Sequence, residues 1–546
     1  MHPALQNTFI LHHILDQWDA QEVKTGCYNT ALVCRAFYNP SQDMLWRRLD
    51  SVLPLFKLLS NFSRDEIGDV WVMVGDVSPS ELQILQAFGR RVRELDIDTW
   101  GYKIDPSVYI LISGALGASP LFSNIQTLSY LPDDWCNENA HYGAALNLFF
   151  SPSLRNVRMA PMTAQQHHNY ATFALRLSLA PQLSLLHLIN FSPCQKGLDG
   201  ILSLKHLCDV VLDLVDSPKA VNRTMFRSLG ALEHLSSLTM TLPDVDWTSS
   251  DTVTMQSIVF SKLIRLVLHS SIHDVTQFLT ETKLPALQKL VYLFPIPGSP
   301  LSLCFLLKEF IDRLRISTTS QFSALLLRPS PIPRQIRMSG ETLLWVFMEE
   351  YLAVPFRYLA DGLFRLNLSS LQLCFPLFES LCVADFIATG NAWPNMTRLR
   401  LHPKSLRAPI PDTTVLRMIA AGFPRLSVLV IDMNAEHIDE PLLETSSHPL
   451  QILTARLAGG PKTNREMLRF AALLDSLFPM LCTVSSVSIG VVDNPTCQVQ
   501  DIIEELQSSR KRERNRIRSE SDIKQANDGI QIAVMSCDEE DFSLIV

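Results

Sequence analysis

A short apolar pattern recurs along most of this 546-residue chain: an apolar residue, two variable ones, an apolar residue, one variable, and another apolar residue. It reads Val92-x-x-Leu95-x-Ile97, Ile125-x-x-Leu128-x-Tyr130, Leu154-x-x-Val157-x-Met159 and Leu183-x-x-Leu186-x-Leu188. Further copies begin at Leu207, Leu235, Leu263, Leu287, Leu368, Met396, Leu426 and Leu450, and a last one reads Val484-x-x-Val487-x-Ile489. Through much of the chain the copies recur at roughly 24 to 35 residues, near or slightly above leucine-rich-repeat spacing. The closing half alternates with period two, so it forms a short strand with one buried face. Segments such as Thr163–Leu179, Asp274–Thr282, Thr413–Ala421 and Arg465–Leu477 between the strands carry apolar residues at helical spacing. One strand–turn–helix unit cannot bury its own apolar face. Neighbours must stack, which makes the body an α/β solenoid with parallel strands inside and helices outside, curved like other repeat arrays.

Prolines support that reading. Ser151-Pro152, Ala180-Pro181, Leu284-Pro285, Trp393-Pro394 and Phe423-Pro424 precede strands, where a proline ends a helix and launches the next element. The array departs from the leucine-rich consensus, because Asp133, Met162, Phe191, Pro243 and Ser271 stand where an asparagine usually closes the turn. Phe294 to Leu368 exceeds the period. Within it, Phe322-x-x-Leu325-x-Leu327 is expected to add a strand, and Arg328–Ile336, with three prolines, an extended loop.

At 47% hydrophobic and 19% charged, the chain is globular and too long for one compact core. A net charge of −8 argues against a general nucleic-acid partner, which needs a basic excess. The eleven cysteines include no CxxC pair, so neither a zinc knuckle nor a redox motif is indicated. His2, Pro3, Gln6 and Asn7 interrupt any secretory apolar run, and no apolar stretch reaches membrane-spanning length. The expectation is a reduced protein, cytoplasmic and/or nuclear, with no membrane partner. HExxH, G-x-S-x-G and a complete phosphate loop are absent, and Gly459-Gly460-Pro461-Lys462-Thr463 reads as a turn. No catalytic residue, metal ligand or cofactor is assigned, so the chain is read as a non-enzyme.

The first fifty residues have a different pattern. Ile10, Leu11, Ile14, Leu15 and Trp18 recur at helical spacing. Asn29–Phe37 reads as a second helix with Leu32, Val33 and Ala36 inward. Asn39 caps a third, Ser41–Leu49, with Pro40 at its first position and Leu45, Trp46 and Leu49 on one edge. Three helices this short cannot bury that much apolar surface alone. The run Leu32-Val33-Cys34-Arg35-x-Phe37, then Leu45-Trp46-Arg47-x-Leu49, after Ile10-Leu11-x-x-Ile14-Leu15, resembles the F-box of fungal F-box-like proteins. Thr8 and Phe9 stand where that family usually carries Pro and Glu. The resemblance implies a three-helix head that packs against the Skp-type adaptor of a cullin ubiquitin ligase. The contacts it implies are Ile10, Leu11, Ile14, Leu15, Leu32, Val33, Phe37, Leu45, Trp46 and Leu49. The alternative is a helical cap on the end of the repeat array.

The variable strand positions point away from the leucines and form the concave face. Candidates for contact with a target protein are Asp96, Arg158, His187, Arg265, His269, Arg398, Arg400 and His402. Acidic members come early and basic ones late, a charge pattern suited to recognising a protein. The expected organisation is a head and bridge helix at 1–60, a solenoid at 61–495, and a charged tail at 496–546. The tail's basic run, Arg510–Arg518, is a nuclear-import candidate or simply a solvated segment. The functional expectation is the substrate-recognition adaptor of a Skp/cullin-type ligase, with an unknown target. A repeat scaffold with no ligase link is the alternative.

Overall fold

The computed structural model describes residues 7–18, 23–65, 69–98, 103–117, 119–131, 148–159, 176–189, 200–214, 223–242, 257–294 and 300–329. It also describes 355–378, 381–403, 411–440, 446–457, 463–486, 499–513 and 515–516. Most of 163–179, all of 330–336, and Val487 and Ile489 lie outside the described residues. The chain divides into two compact units, Met1–Pro295 with Asp312–Phe322, and Ile296–Ile311 with Ser323–Val546.

The first unit opens with α1 (Thr8–Leu15), α2 (Val23–Ala31) and α3 (Arg35–Arg47). The Asn7 side chain caps α1 by accepting from the Phe9 N–H at 2.9 Å. α3 begins earlier than the sequence suggests, with Pro40 inside it rather than at its start. The Phe37 and Tyr38 N–H groups donate to the Cys34 carbonyl at 3.1 and 3.2 Å, so the first turn closes upstream of the proline. The second helix correspondingly stops at Ala31, and Leu32 and Val33 lie in the turn, exposed rather than inward.

After α3 the chain enters the sheet at once. β1 (Arg48–Leu49) pairs in parallel with β4 (Glu94–Asp98), matching Leu49 to Leu95. Between them lie α4 (Leu53–Phe56), β2 (Phe62–Asp65), β3 (Val70–Met73) and α5 (Pro79–Gly89). β2 and β3 pair antiparallel, and β5 (Lys103–Ile104) joins β3 in parallel, a three-stranded side sheet that the repeat pattern does not announce. Pro79 and the Ser78–Glu81 capping box start α5. Glu81 also accepts from the Ser60 N–H at 2.8 Å and hydroxyl at 2.6 Å. Those Ser60 bonds, and then the Ser78 ones, hold its carboxyl down to about 2.

From β4 onward the first unit is a parallel ladder in chain order, through Thr127–Leu131, Asn156–Met159, Leu185–Leu188, Asp209–Asp213, Ser237–Thr241, Arg265–His269 and Lys289–Phe294. The middle apolar positions form one register column: Leu95, Leu128, Val157, Leu186, Val210, Leu238, Leu266 and Leu290. All are buried to 1% exposure or less. The second unit repeats the design with Ala324–Pro329, Ser370–Phe378, Arg398–Pro403, Val428–Met433, Ile452–Leu457 and Thr483–Ser486. Leu325, Leu371, Leu399, Leu429, Leu453 and Val484 are in register. The Phe322 copy is thus a strand, as expected. The last copy is Leu481-x-x-Val484-x-Ser486, three residues earlier than the apolar pattern suggests, because Val484 takes the middle position opposite Leu453 and Leu481 is buried before it.

The first residue of many copies closes a tight turn before its strand. Leu154, Leu183, Leu207, Leu287, Met396 and Leu426 donate their N–H to the carbonyl three residues back. The next residue is often a hydroxyl donor. Ser184, Ser236, Ser369, Thr397 and Ser427 each donate their hydroxyl to the matching carbonyl of the neighbouring repeat, at 2.9 to 3.2 Å. Helices Ile272–Glu281, Thr414–Gly422 and Asn464–Leu477 occupy the expected linking segments. Helices Val383–Ala392 and Thr414–Gly422 meet at two glycines. A Cβ on Gly390 would sit 3.0 Å from the Gly422 Cα, so a side chain there would require the two helices to part by a few tenths of an ångström.

The last strand of the second unit is not left bare. A helix over 499–513 covers it and buries Val499 and Ile503. The Gln500 side chain takes the place of a next strand, accepting from the Val484 N–H at 2.7 Å and donating to the Cys482 carbonyl at 3.0 Å. Gln507 donates to the Leu481 carbonyl at 2.7 Å, and Arg510 pairs with Asp475. The start of the basic run is therefore packed. Residues 517–546 lie outside the described residues. Among the described residues, no helix is long and apolar enough to cross a membrane.

Candidate functional site

Two surfaces of the first unit collect the sequence-derived candidates. On α1, the helical period separates two faces. Leu11 and Leu15 are buried, each 1% exposed, while Phe9, Ile10 and Ile14 face solvent. α2 buries Cys27 and Ala31, and leaves Tyr28 and then Leu32 and Val33 outside, the last two at 71% and 70% exposure. Ion pairs Arg47–Asp16 at 3.0 Å and Lys24–Asp50 at 2.9 Å brace the helices. Seven of the nineteen exposed large apolar side chains among the described residues fall between Phe9 and Tyr38. That concentration makes the head the most solvent-facing apolar part of the described chain.

The ten head residues therefore separate by role. Ile10, Ile14, Leu32 and Val33 are available to a partner. Leu11, Leu15 and Leu49 are interior, with Leu49 in the sheet. Phe37 and Leu45 are half-buried. Trp46 is half-buried with its ring 4.7 Å from that of Phe88 on α5, and its Nε1–H donates to Gln42 at 3.1 Å. It anchors the head to the body instead of lying on an outer face. Phe9, Tyr28 and Tyr38 belong with the exposed set. Helical spacing alone does not mark them, because which face of each helix is covered depends on how the helices pack.

The second surface is the open face of the ladder. Asp96, Ser129, Arg158, His187, Val211, Thr239, Val267 and Val291 form one row across it. Arg158 and His187 are thus neighbours on adjacent strands. A flanking row brings Asp213, Thr241 and His269 together, and the opposite one Asp209, Ser237, Arg265 and Lys289. His187 is held below the usual histidine range by burial and then by Arg158, against the pull of Asp213 and Asp209. Burial also lowers His269, with Asp213 opposing. Both imidazoles are therefore neutral at neutral pH. Asp209 Oδ1 and Ser237 Oγ, register neighbours, are shielded and have no hydrogen-bond partner among the described residues. Nothing in the sequence marks that pair, since shielding comes from packing across strands.

The rest of the expected target face belongs to the second unit. Arg398 and Arg400 line a small cleft of about 200 Å³ with Gln372, Val428 and Val430. His402 continues the same strand, and its side chain lies outside the described residues. No group of three or more candidate metal-holding side chains occurs among the described residues.

No protein-family model matches this chain, and no curated protein matches it. Among solved structures, the crystal structure of the Rad7 and Elc1 complex in yeast aligns with it at 16% identity and a TM-score of 0.24. The alignment covers 64% of this chain and 91% of that one. A score that low carries no argument about fold or function.

Proposed function

We propose that the chain is a non-catalytic recognition subunit of a Skp/cullin-type ubiquitin ligase. In this reading the head docks on a Skp-type adaptor, and the open ladder face holds a target protein. The ligase chemistry is done by other subunits, and this chain contributes proximity and orientation. The observation that carries the reading is the exposed apolar set on the head, Ile10, Ile14, Leu32 and Val33 with Phe9, Tyr28 and Tyr38. Exposed apolar clusters of that kind mark interaction sites. Tagged chain expressed in cells is expected to co-purify with an adaptor and a cullin, and Leu32→Glu/Val33→Glu to lose both. Retention of both by the variant would remove the head from the interface.

A second reading has its own support. Leu49 pairs with Leu95 in the sheet, and Trp46 packs on Phe88, as a helical cap would require. A scaffold without a ligase link follows if the co-purified proteins include no adaptor.

A further inference from the structure

The head and the first repeats enclose a cleft of about 450 Å³ in the first unit, lined by Arg47, Arg90, Arg91, Arg93, His12 and Asp43 among others. Four guanidinium groups in one cleft contrast with the net charge of −8 for the whole chain. Asp43 is the carboxylate inside it, and it is shared by Arg91 and, at 3.6 Å, His12. Asp16 takes up Arg47 at 3.0 Å. Arg93 spends one donor on the Asn124 carbonyl at 3.1 Å and meets no carboxylate among the described residues. The Arg90 side chain has no hydrogen bond or ion pair among the described residues. Among the described residues, two positive charges are thus left without a counter-charge at one place.

The cleft is also pre-organised. Arg91 lies over the Phe88 ring at 5.9 Å and donates to the Asn39 carbonyl at 3.2 Å, so its fork is fixed in position. Gln126 adds an amide to the wall. Arginine presents a planar fork of N–H donors that matches the oxygens of phosphate, and several forks converging on one space suit a dianion better than a single carboxylate. A cleft of this volume lies in the range of small-ligand sites. We propose that it binds a phosphate-bearing ligand, a phosphomonoester or diphosphate group, with Arg90 and Arg93 as the principal ligating residues. This site is separate from the exposed apolar face of the head and does not depend on the ligase reading.

The test is isothermal titration of the full chain with inorganic pyrophosphate at low salt, with sulfate as a control. Saturable one-to-one binding that weakens as salt rises is expected. Arg90→Ala should weaken it at least about tenfold, the loss of a charge-assisted contact, with the circular dichroism unchanged. Arg90→Lys should recover part of the loss, and Asp43→Asn should tighten binding by freeing Arg91. A short phosphoserine peptide and its unphosphorylated form separate the sources of the phosphate. Preference for the phosphopeptide over pyrophosphate assigns a protein segment, and the reverse assigns a small metabolite. Absence of saturable pyrophosphate and phosphopeptide binding would overturn the proposal. So would equal affinity for sulfate, equal binding of the unphosphorylated peptide, or an Arg90→Ala chain that binds as tightly as the parent.

Discussion

Leu238, Leu266 and Leu399 are almost fully buried in their register columns. Truncating a leucine in such a site removes transfer energy and leaves a cavity, at a cost of about 2–5 kcal/mol. Each Leu→Ala variant should lose that much in denaturant unfolding, whereas Ile14→Ala, half-exposed on α1, should stay within about 0.5 kcal/mol of the parent. His448 makes a different kind of claim. It is buried, with its Nε2 2.8 Å from the Phe423 carbonyl and its Nδ1 accepting from the Leu450 N–H at 3.2 Å. Both ring nitrogens are thus used by the neutral tautomer whose Nε2–H donates to Phe423. Burial lowers its affinity for a proton, more than the Phe423 carbonyl raises it. The unfolded chain therefore binds that proton first. Its contribution to stability is complete above the unfolded value of about 6.5 and declines as pH falls below it. His187 and His269 shift in the same direction. Unfolding midpoints should drop between neutral pH and about pH 5.5, and the His448 resonances should titrate below the free-histidine value. A His448 that titrates at or above that value would contradict the assigned tautomer.

At the scale of elements, the helix over 499–513 closes the sheet edge with a side chain. Gln500→Ala leaves the Val484 N–H without its acceptor, so a loss of about 1–3 kcal/mol is expected. Faster hydrogen exchange at Val484 than in the parent would locate the effect, and unchanged exchange would show that the helix is a bystander. Most of the strand–turn–helix order was legible because period-two alternation and launching prolines are local signals. The Leu325 strand could be placed inside the long interval for the same reason. What was not legible depended on non-local packing. Pro40 reads locally as a helix start, yet Cys34 closes a turn ahead of it. The last copy lies three residues upstream of where its apolar pattern points, because Leu481 to Ser486 and Val484 to Ile489 look alike until a neighbouring strand selects the register. The hydroxyl ladder from Ser184 to Ser427 was visible as residue types and had no meaning before its carbonyl partners were known.

For the molecule as a whole, the two surfaces proposed to bind proteins have different physical characters. The head exposes apolar side chains, whose contribution resists salt. The ladder face carries Asp96, Arg158, Arg265 and Lys289, whose contribution to a target complex should weaken as salt rises. Adaptor binding should therefore change little between about 0.05 and 0.3 M salt, and target binding should fall. The apolar pattern from Leu32 to Leu49 is visible in the sequence, but which of its residues face outward is not. That depends on Trp46 turning toward Phe88 and on Leu49 entering the sheet. In the proposed function the outward set, Leu32 and Val33 foremost, forms the adaptor-binding face. Titrating a purified Skp-type adaptor into the folded full chain measures this directly. Micromolar or tighter binding is expected, weakened at least about thirtyfold by Leu32→Glu, as for an interface anchor worth about 2 kcal/mol. A folded parent chain that shows no binding at micromolar adaptor, or a Leu32→Glu variant that binds equally well, would contradict it.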